Sequence, residues 1–417
     1  MKSTILACIF LLAASASGQW LETTIPVPGG RPLRLCYNST DNKVYSLDSD
    51  SGNVVIIDGA LNTVLTTVAV GAAPWSLCYN QQNNKIYCVN NYGYSVTVID
   101  GESDTVVATV STGFAPAGIC HNSQNNKVYC GNFENDSVIV IDGAGDTALA
   151  TVWTGYYAGV LCYNPQENKV YCATEDDPTM TVLDGATDSV LARVGDARYV
   201  YALCYNPQAN KVYCLDMYGD NVIVIDGVSD SVLATVPVGD RPSVLCCNTQ
   251  NNKVYCAGGM DGHVFVIDGK EDTMLSVMPV GAAALCHNPL NNKLYCAYVD
   301  TVTIVDGATN TVLKSIGVGS WPTDMVWSPV QNRVYVANYD GHSISVIRDS
   351  TPAGIGESTT SDLRLSNGGA TVVLDAAGVF DATGRRVTEP KAGVYSLRER
   401  VAGSSEQYRM RKVIVTR

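Results

Sequence analysis

Histidine is scarce in this chain, with four residues among 417, and charged residues of all kinds make up only 16%. Catalytic centres draw on convergent histidines, carboxylates or metal ligands, so an enzyme built here has little to assemble. The sequence has no Gly-x-Ser-x-Gly, no phosphate-binding loop and no His-Glu-x-x-His, and it shows no cofactor motif. It also lacks Cys-x-x-Cys, which removes the ligand spacing of zinc sites and of Cys-x-x-Cys-His haem attachment. Long helical periods are missing, and no segment is long and apolar enough to cross a bilayer. Positive charge is in deficit: 27 Lys and Arg face 40 Asp and Glu, a net charge of −13. From Asp362 onward ten basic residues meet six acidic ones, which leaves 17 against 34 in the rest. An acidic body of this kind lacks the basic footprint that nucleic acid requires.

What is present is strand-forming. Hydrophobic residues reach 46%, and Val, Ile, Thr and Tyr dominate, side chains that suit a pleated, half-buried surface. The first 18 residues read as a signal peptide: Lys2 supplies the positive start and Ile5 to Ala14 the apolar stretch. Ala14-Ser15-Ala16 or Ala16-Ser17-Gly18 then offers a small-residue cleavage site. Cys8 sits too early for a lipoprotein cysteine. The expected mature protein is exported, secreted or held at the cell surface.

The body is a repeat. Asn-Lys-(Val/Ile/Leu)-Tyr begins at Asn42, Asn84, Asn126, Asn168, Asn210, Asn252 and Asn292, and a variant follows at Asn332. The step is 42 residues five times, then 40 twice. A hydrophobic-Asp-Gly phrase recurs at Asp58, Asp100, Asp142, Asp184, Asp226, Asp268 and Asp306. Each unit divides into four short strands, A to D. In the second unit these fall near Ser76 to Asn80, Lys85 to Asn90, Ser95 to Asp100 and Thr105 to Val110, joined by turns rich in Asn, Asp and Gly. Four strands in about 40 residues make one propeller blade. The eighth unit has A, B and C but no D. Leu21 to Gly29 resembles the D strand Thr105 to Gly113, so an N-terminal strand completing the last blade would lock the ring. The expectation is an all-β, eight-bladed β-propeller over 19–349, with seven blades and one irregular unit as the alternative.

Asn-Lys-Val-Tyr-x-x-Asn, then Val-x-Val-Ile-Asp-Gly and Val-Gly-x-x-Pro, resembles the YVTN-type β-propeller repeats of bacterial and archaeal surface proteins, with the usual Tyr-Val largely Tyr-Cys here. The resemblance spans roughly 21–349 and implies the fold; such propellers mostly serve as surface or binding modules. Past a linker at 350–361, Asp381-Ala382-Thr383-Gly384-Arg385 and Gly393-Val394-Tyr395 resemble the sorting domain of the type IX secretion pathway. That likeness implies a small C-terminal β-sandwich at 362–417 that engages secretion machinery. The Pro-Asn-Pro entry motif is missing, and an ordinary immunoglobulin-like tail is the other reading.

Fifteen cysteines stand out. Twelve form six pairs spaced by ten: Cys78/Cys88, Cys120/Cys130, Cys162/Cys172, Cys204/Cys214, Cys246/Cys256 and Cys286/Cys296. If the A–B hairpin sets Cys78 opposite Cys88, each pair could bond within its blade in an oxidising compartment. Otherwise Cys acts as a small buried hydrophobe, as Val326 and Val336 suggest. Cys36 faces Ser46 in place of a partner, and Cys247 is extra.

Framework positions barely vary between repeats, whereas the loops before A and between B and C do. Both emerge on one face beside the central channel, and loops on rigid scaffolds gather binding residues. The residue before the Pro of Val-Gly-x-x-Pro runs Arg31, Ala73, Ala115, Tyr157, Tyr199, Arg241 and Trp321, with Trp75 just after it in its repeat. The B–C loops add Asp48, Tyr92, Glu134, Asp176, Asp216, Tyr218, Asp261 and Tyr339. Aromatics, arginines and acids on one rim suit a protein, peptide or carbohydrate ligand, while drift at tolerant loop tips explains the variation equally well. Of the histidines, His121 and His287 take the place of Tyr79 and read as framework. The resulting expectation is a non-catalytic exported binding module. A propeller-type lyase, hydrolase or quinone-dependent dehydrogenase, or a structural surface-layer component, are the alternatives.

Overall fold

The computed structural model describes residues 18–349 except 175–177, 196, 198 and 259–261, together with the backbone of five strands between 363 and 415. The expected signal peptide ahead of Gly18, the linker, Asp176 and Asp261 lie outside the described residues. The chain divides into two compact units, 1–353 and 354–417.

The first unit is an eight-bladed propeller, with eight four-stranded antiparallel sheets. Blade 2 is typical, with A at Pro74–Asn80, B at Lys85–Asn90, C at Ser95–Asp100 and D at Thr105–Ser111. Blade 8 takes A from Pro322–Ser328, B from Arg333–Asn338 and C from Ser343–Asp349. Its fourth strand is Gln19–Pro26 from the other end of the chain, antiparallel to Ser343–Asp349. The count is therefore eight, and the ring is closed by the N-terminal strand as the truncated last repeat requires.

Each turn explains its motif. The Asn that opens Asn-Lys-Val-Tyr sits in the left-handed region, with φ of 53° at Asn84 and 58° at Asn126, where Asn is tolerated better than most residues. In Asp-Gly-x-x-Asp, the first carboxylate accepts turn amides, as Asp100 does from Ser103 N at 2.8 Å. The second Asp has a left-handed backbone, φ 57° at Asp104. That second Asp also reaches the preceding blade. Lys43 Nζ donates to Asp104 Oδ1 at 2.8 Å and the Tyr45 hydroxyl donates to the same oxygen at 3.1 Å. The pattern repeats from Lys85, Lys127, Lys169 and Lys211 to Asp146, Asp188, Asp230 and Asp272. A second chain of bonds runs through side-chain amides: Asn80 Nδ2 donates to Asn126 Oδ1 at 2.7 Å, and Asn122 to Asn168 likewise. The motif is thus inter-blade adhesive as well as turn chemistry.

The same logic seals the seam. Arg333 stands in place of Lys and forms a bidentate pair with Glu22 of the N-terminal strand, both contacts at 2.6 Å. The Tyr335 hydroxyl crosses to Asn62 Oδ1 of blade 1 at 2.8 Å. Asp349, the end of the last C strand, is buried and accepts from Gln19, Asn288, Asn291, Lys293 and Tyr295.

Cores lie between blades. Tyr87, Val89, Val96 and Val98 of blade 2 pack with Val128, Cys130, Ile139 and Ile141 of blade 3. Strands B and C are covered on both faces and read as continuous apolar runs, whereas Thr105–Ser111 at the outer edge is mostly exposed. A single sheet could not cover itself this way, so neighbours supply the missing face.

The cysteine pairing within blades is corrected by the register. Cys78 pairs with Tyr87 across the A–B hairpin, and Leu77 with Cys88, one residue off the expected alignment. The same offset recurs at Cys120/Tyr129, Cys162/Tyr171, Cys204/Tyr213, Cys246/Tyr255 and Cys286/Tyr295. A one-residue shift sends a side chain to the other face of the sheet, so the two thiols of each pair point apart. All of these cysteines are free except Cys204, which bonds Cys247 of the next blade's A strand with a Cα separation of 6.6 Å. An inner-strand thiol faces the following residue position of the next blade, as Cys78 does at His121 and Cys162 at Tyr205. Only blade 6 carries a cysteine there, which accounts for the extra Cys247. In a chain-entropy picture this 43-residue link contributes about 4 kcal/mol.

In the second unit, five strands form one sheet in the order Gly378–Asp381, Ala370–Asp375, Leu363–Asn367, Gly393–Arg400 and Tyr408–Val415. The sandwich expected at 362–417 takes in residues that lie outside those described.

Candidate functional site

The D–A and B–C loops do share a face, and the backbone shows why. The residue before the A strand is left-handed at Ala73, Ala115, Tyr157, Tyr199, Arg241 and Trp321, with φ between 48° and 64°. That twist turns its carbonyl toward the neighbouring B–C loop, where it accepts an amide: Asn91 N to Ala73 O at 2.9 Å, Tyr339 N to Trp321 O at 2.9 Å. Left-handed geometry is unfavourable for bulky side chains, so Tyr, Arg and Trp are held there at a cost. Their side chains project from a clasped double loop.

The innermost A strands surround the axis, and at this end their first residues line a cavity of about 750 Å³. Of the expected rim residues, Trp75 and Tyr92 border it, joined by Ala115 and Glu134. Trp75 and Tyr92 are 49% and 71% exposed, a large aromatic surface to leave in water. Phe133 and Tyr201, which sequence reasoning passed over, line the same cavity. Tyr157 packs on Phe133 at 4.8 Å between ring centroids, and Tyr199 bridges Tyr218 at 5.0 Å and Tyr201 at 6.0 Å. These ring contacts join blade 3 to blade 4 and, separately, lie within blade 5. Across the ring, Arg31 lies over the Tyr339 ring at 5.1 Å and pairs with Asp50, while Arg241 and Trp321 are exposed and stand outside the cavity.

Two acids of the expected rim have another task. Asp48 is buried and accepts the Arg31 amide at 2.8 Å, and Asp216, also buried, accepts that of Gly219 at 2.9 Å. They hold loops in shape, as Asx side chains do. Asp136 and Asp220 likewise receive the amides of Tyr157 and Arg241.

Repeat-equivalent positions supply a signal that sequence reasoning missed. Two residues before each inner cysteine lie Ser76, Gly118, Val160, Ala202, Val244 and Ala284, all lining the cavity. In blades 1 and 8 the same position holds Arg34 and Asp324. These are the only charged residues along the eight inner strands, and they meet at the closing seam. Below them the thiols of Cys78, Cys162 and Cys246 are pushed up to about 12 by burial, so they stay protonated and weakly nucleophilic at neutral pH. His121 and His287 are held below the ordinary imidazole range by burial and stay neutral, in the framework place taken elsewhere by Tyr79.

No family model matches this sequence, and no curated protein matches it. Among solved structures, hydrazine synthase of Kuenenia stuttgartiensis aligns with a TM-score of 0.57 at 15% identity, over 79% of this chain and 99% of that one. Sqt1 of Saccharomyces cerevisiae aligns with a TM-score of 0.69 at 12% identity, over 81% of this chain and all of that one. The likeness is one of fold. At such identities, function has to be argued from the site.

Proposed function

We propose that this is an exported, non-catalytic propeller of the YVTN type that binds a ligand at the channel mouth, with the C-terminal unit acting as a sorting domain. The observation that supports binding is the cluster of exposed aromatics, Trp75, Tyr92 and Tyr201, around a concave cavity on one end of a rigid ring. At their left-handed positions Tyr157, Tyr199, Arg241 and Trp321 cost more than Gly or Asn would, which favours a task for these side chains over drift at loop tips. The signal-like N-terminus and the Asp381 to Arg385 and Gly393 to Tyr395 motifs support export.

The test is a mixed glycan and peptide array probed with the wild type and with a Trp75→Ala/Tyr92→Ala double variant. Both side chains are largely exposed, so the variant should melt within a few degrees of the parent. Binding by the parent that falls at least tenfold in the variant is the expected result. Equal binding by both, or none by the parent, would refute the reading.

A further inference from the structure

Along the inner strands the channel holds one charge of each sign, Arg34 and Asp324, while Glu134 adds an acid from a loop at the mouth. Asp324 Oδ2 accepts the Leu35 amide across the seam at 2.8 Å, and its Oδ1 accepts Met325 N at 2.9 Å. Each oxygen keeps lone-pair capacity after these bonds. Burial raises the pKa of Asp324, while the nearby Arg34 charge opposes that rise. Arg34 Nη1 donates to the Thr323 carbonyl at 3.3 Å. A guanidinium has five N–H donors, so most of this one's capacity remains beside the cavity.

Resting on the mouth as the binding site, we propose that the throat takes a neutral saccharide, with Arg34 donating to its hydroxyl oxygens and Asp324 accepting from its hydroxyl protons. A polyol offers donors and acceptors side by side and brings no net charge. A phosphate or carboxylate bound by Arg34 would sit next to Asp324, and a cation bound by Asp324 would sit next to Arg34. Each would face like charge in a partly desolvated site. Above the pair, Trp75, Tyr92 and Tyr201 present amphipathic rings on which the apolar C–H faces of a sugar ring can lie. Asn91, Ser76 and Ser243 add neutral hydrogen-bonding groups to the lining. The volume of about 750 Å³ falls within the range of preformed small-molecule sites.

The test titrates the purified full chain by calorimetry with maltohexaose, cellohexaose, xylohexaose and chitohexaose. Inorganic phosphate and the zwitterionic dipeptide Gly-Phe serve as charged probes. At least one hexasaccharide should bind, and both charged probes should be silent. Arg34→Met and Trp75→Ala should each weaken that binding tenfold or more, while Trp153→Ala, at the outer edge of blade 3, leaves it unchanged. Because Arg34 lies at the seam, its variant is checked by melting temperature. The exposed Trp75 provides the independent arm if Arg34→Met unfolds. Silence from all four sugars overturns the proposal, as does tight phosphate or dipeptide binding. So does sugar binding indifferent to Trp75. A peptide hit on the array that is lost with Trp75 and Tyr92, alongside silent sugars, would leave the binding mouth standing and remove only the saccharide.

Discussion

At the scale of single residues, the Lys and Tyr of the repeated motif add polar clamps to the apolar cores between blades. Lys127 and Asp188 are largely covered, with 15% and 14% of their side chains exposed, and the Tyr129 hydroxyl donates to Asp188 Oδ1 at 2.6 Å. Burial, and after it the Asp188 hydrogen bond and charge, raise the tyrosine pKa, so the hydroxyl stays a donor at any ordinary pH. Removing the cation leaves a carboxylate in a poorly solvated place, which costs more than the pair contributes. Lys127→Met should therefore lower stability by about 2–4 kcal/mol. Tyr129→Phe should lower it by about 1–2 kcal/mol. Urea denaturation checks the order, and equal or negligible losses would contradict the clamp. Blade 6 offers a natural comparison, since Lys253 meets Asn310 at 3.0 Å in place of an Asp.

At the scale of elements, the seam strand Gln19–Pro26 is the part of the ring whose pairing reaches furthest along the chain. Burial pushes the Glu22 pKa upward, but hydrogen bonds and charge from Arg333, with help from Arg348, bring it below the ordinary 4.5. A carboxylate depressed in the folded state stabilises it fully above the unfolded value. That contribution fades as pH falls through the folded value. Glu22→Gln should thus be less stable than the parent at pH 7 by about 1–2 kcal/mol. The gap should close as the solution is acidified below about 4.5, the ordinary value for this group. Thermal melts from pH 7 to pH 2 read this directly, and a gap that stays constant would refute it.

Strand bounds, blade count and the closing strand were legible because they follow from period, turn residues and one truncated repeat. The cysteine register was not. Hairpin alignment depends on the turn, and Asn84 with its left-handed φ of 53° sets it one residue from the simplest mirror. Arg34 and Asp324 went unread for a different reason. They sit in framework strands, where variation looks like packing, and only the closed ring brings blades 1 and 8 together. Asp48 and Asp216 were misread because sequence cannot tell a carboxylate that braces a loop from one offered to a ligand.

At the scale of the whole molecule, the eight-fold frame is nearly uniform on the face of the A–B and C–D turns and irregular on the other. The uniform face is occupied by inter-blade clamps, which tolerate little change. The irregular face is freed from that duty, and its loops are held by backbone clasps that leave the side chains open. The symmetry breaks in the aromatics of blades 2 to 5 and in the charges of Arg34 and Asp324 on the inner strands, and the proposed recognition would draw its specificity from these places. Amide hydrogen exchange on the protein, with and without its array-identified ligand, tests this most directly. Protection should concentrate at 74–76, 91–94, 115–119 and 133–134, around the mouth. Protection at the outer D strands or the A–B turns instead would contradict a recognition site at the channel mouth.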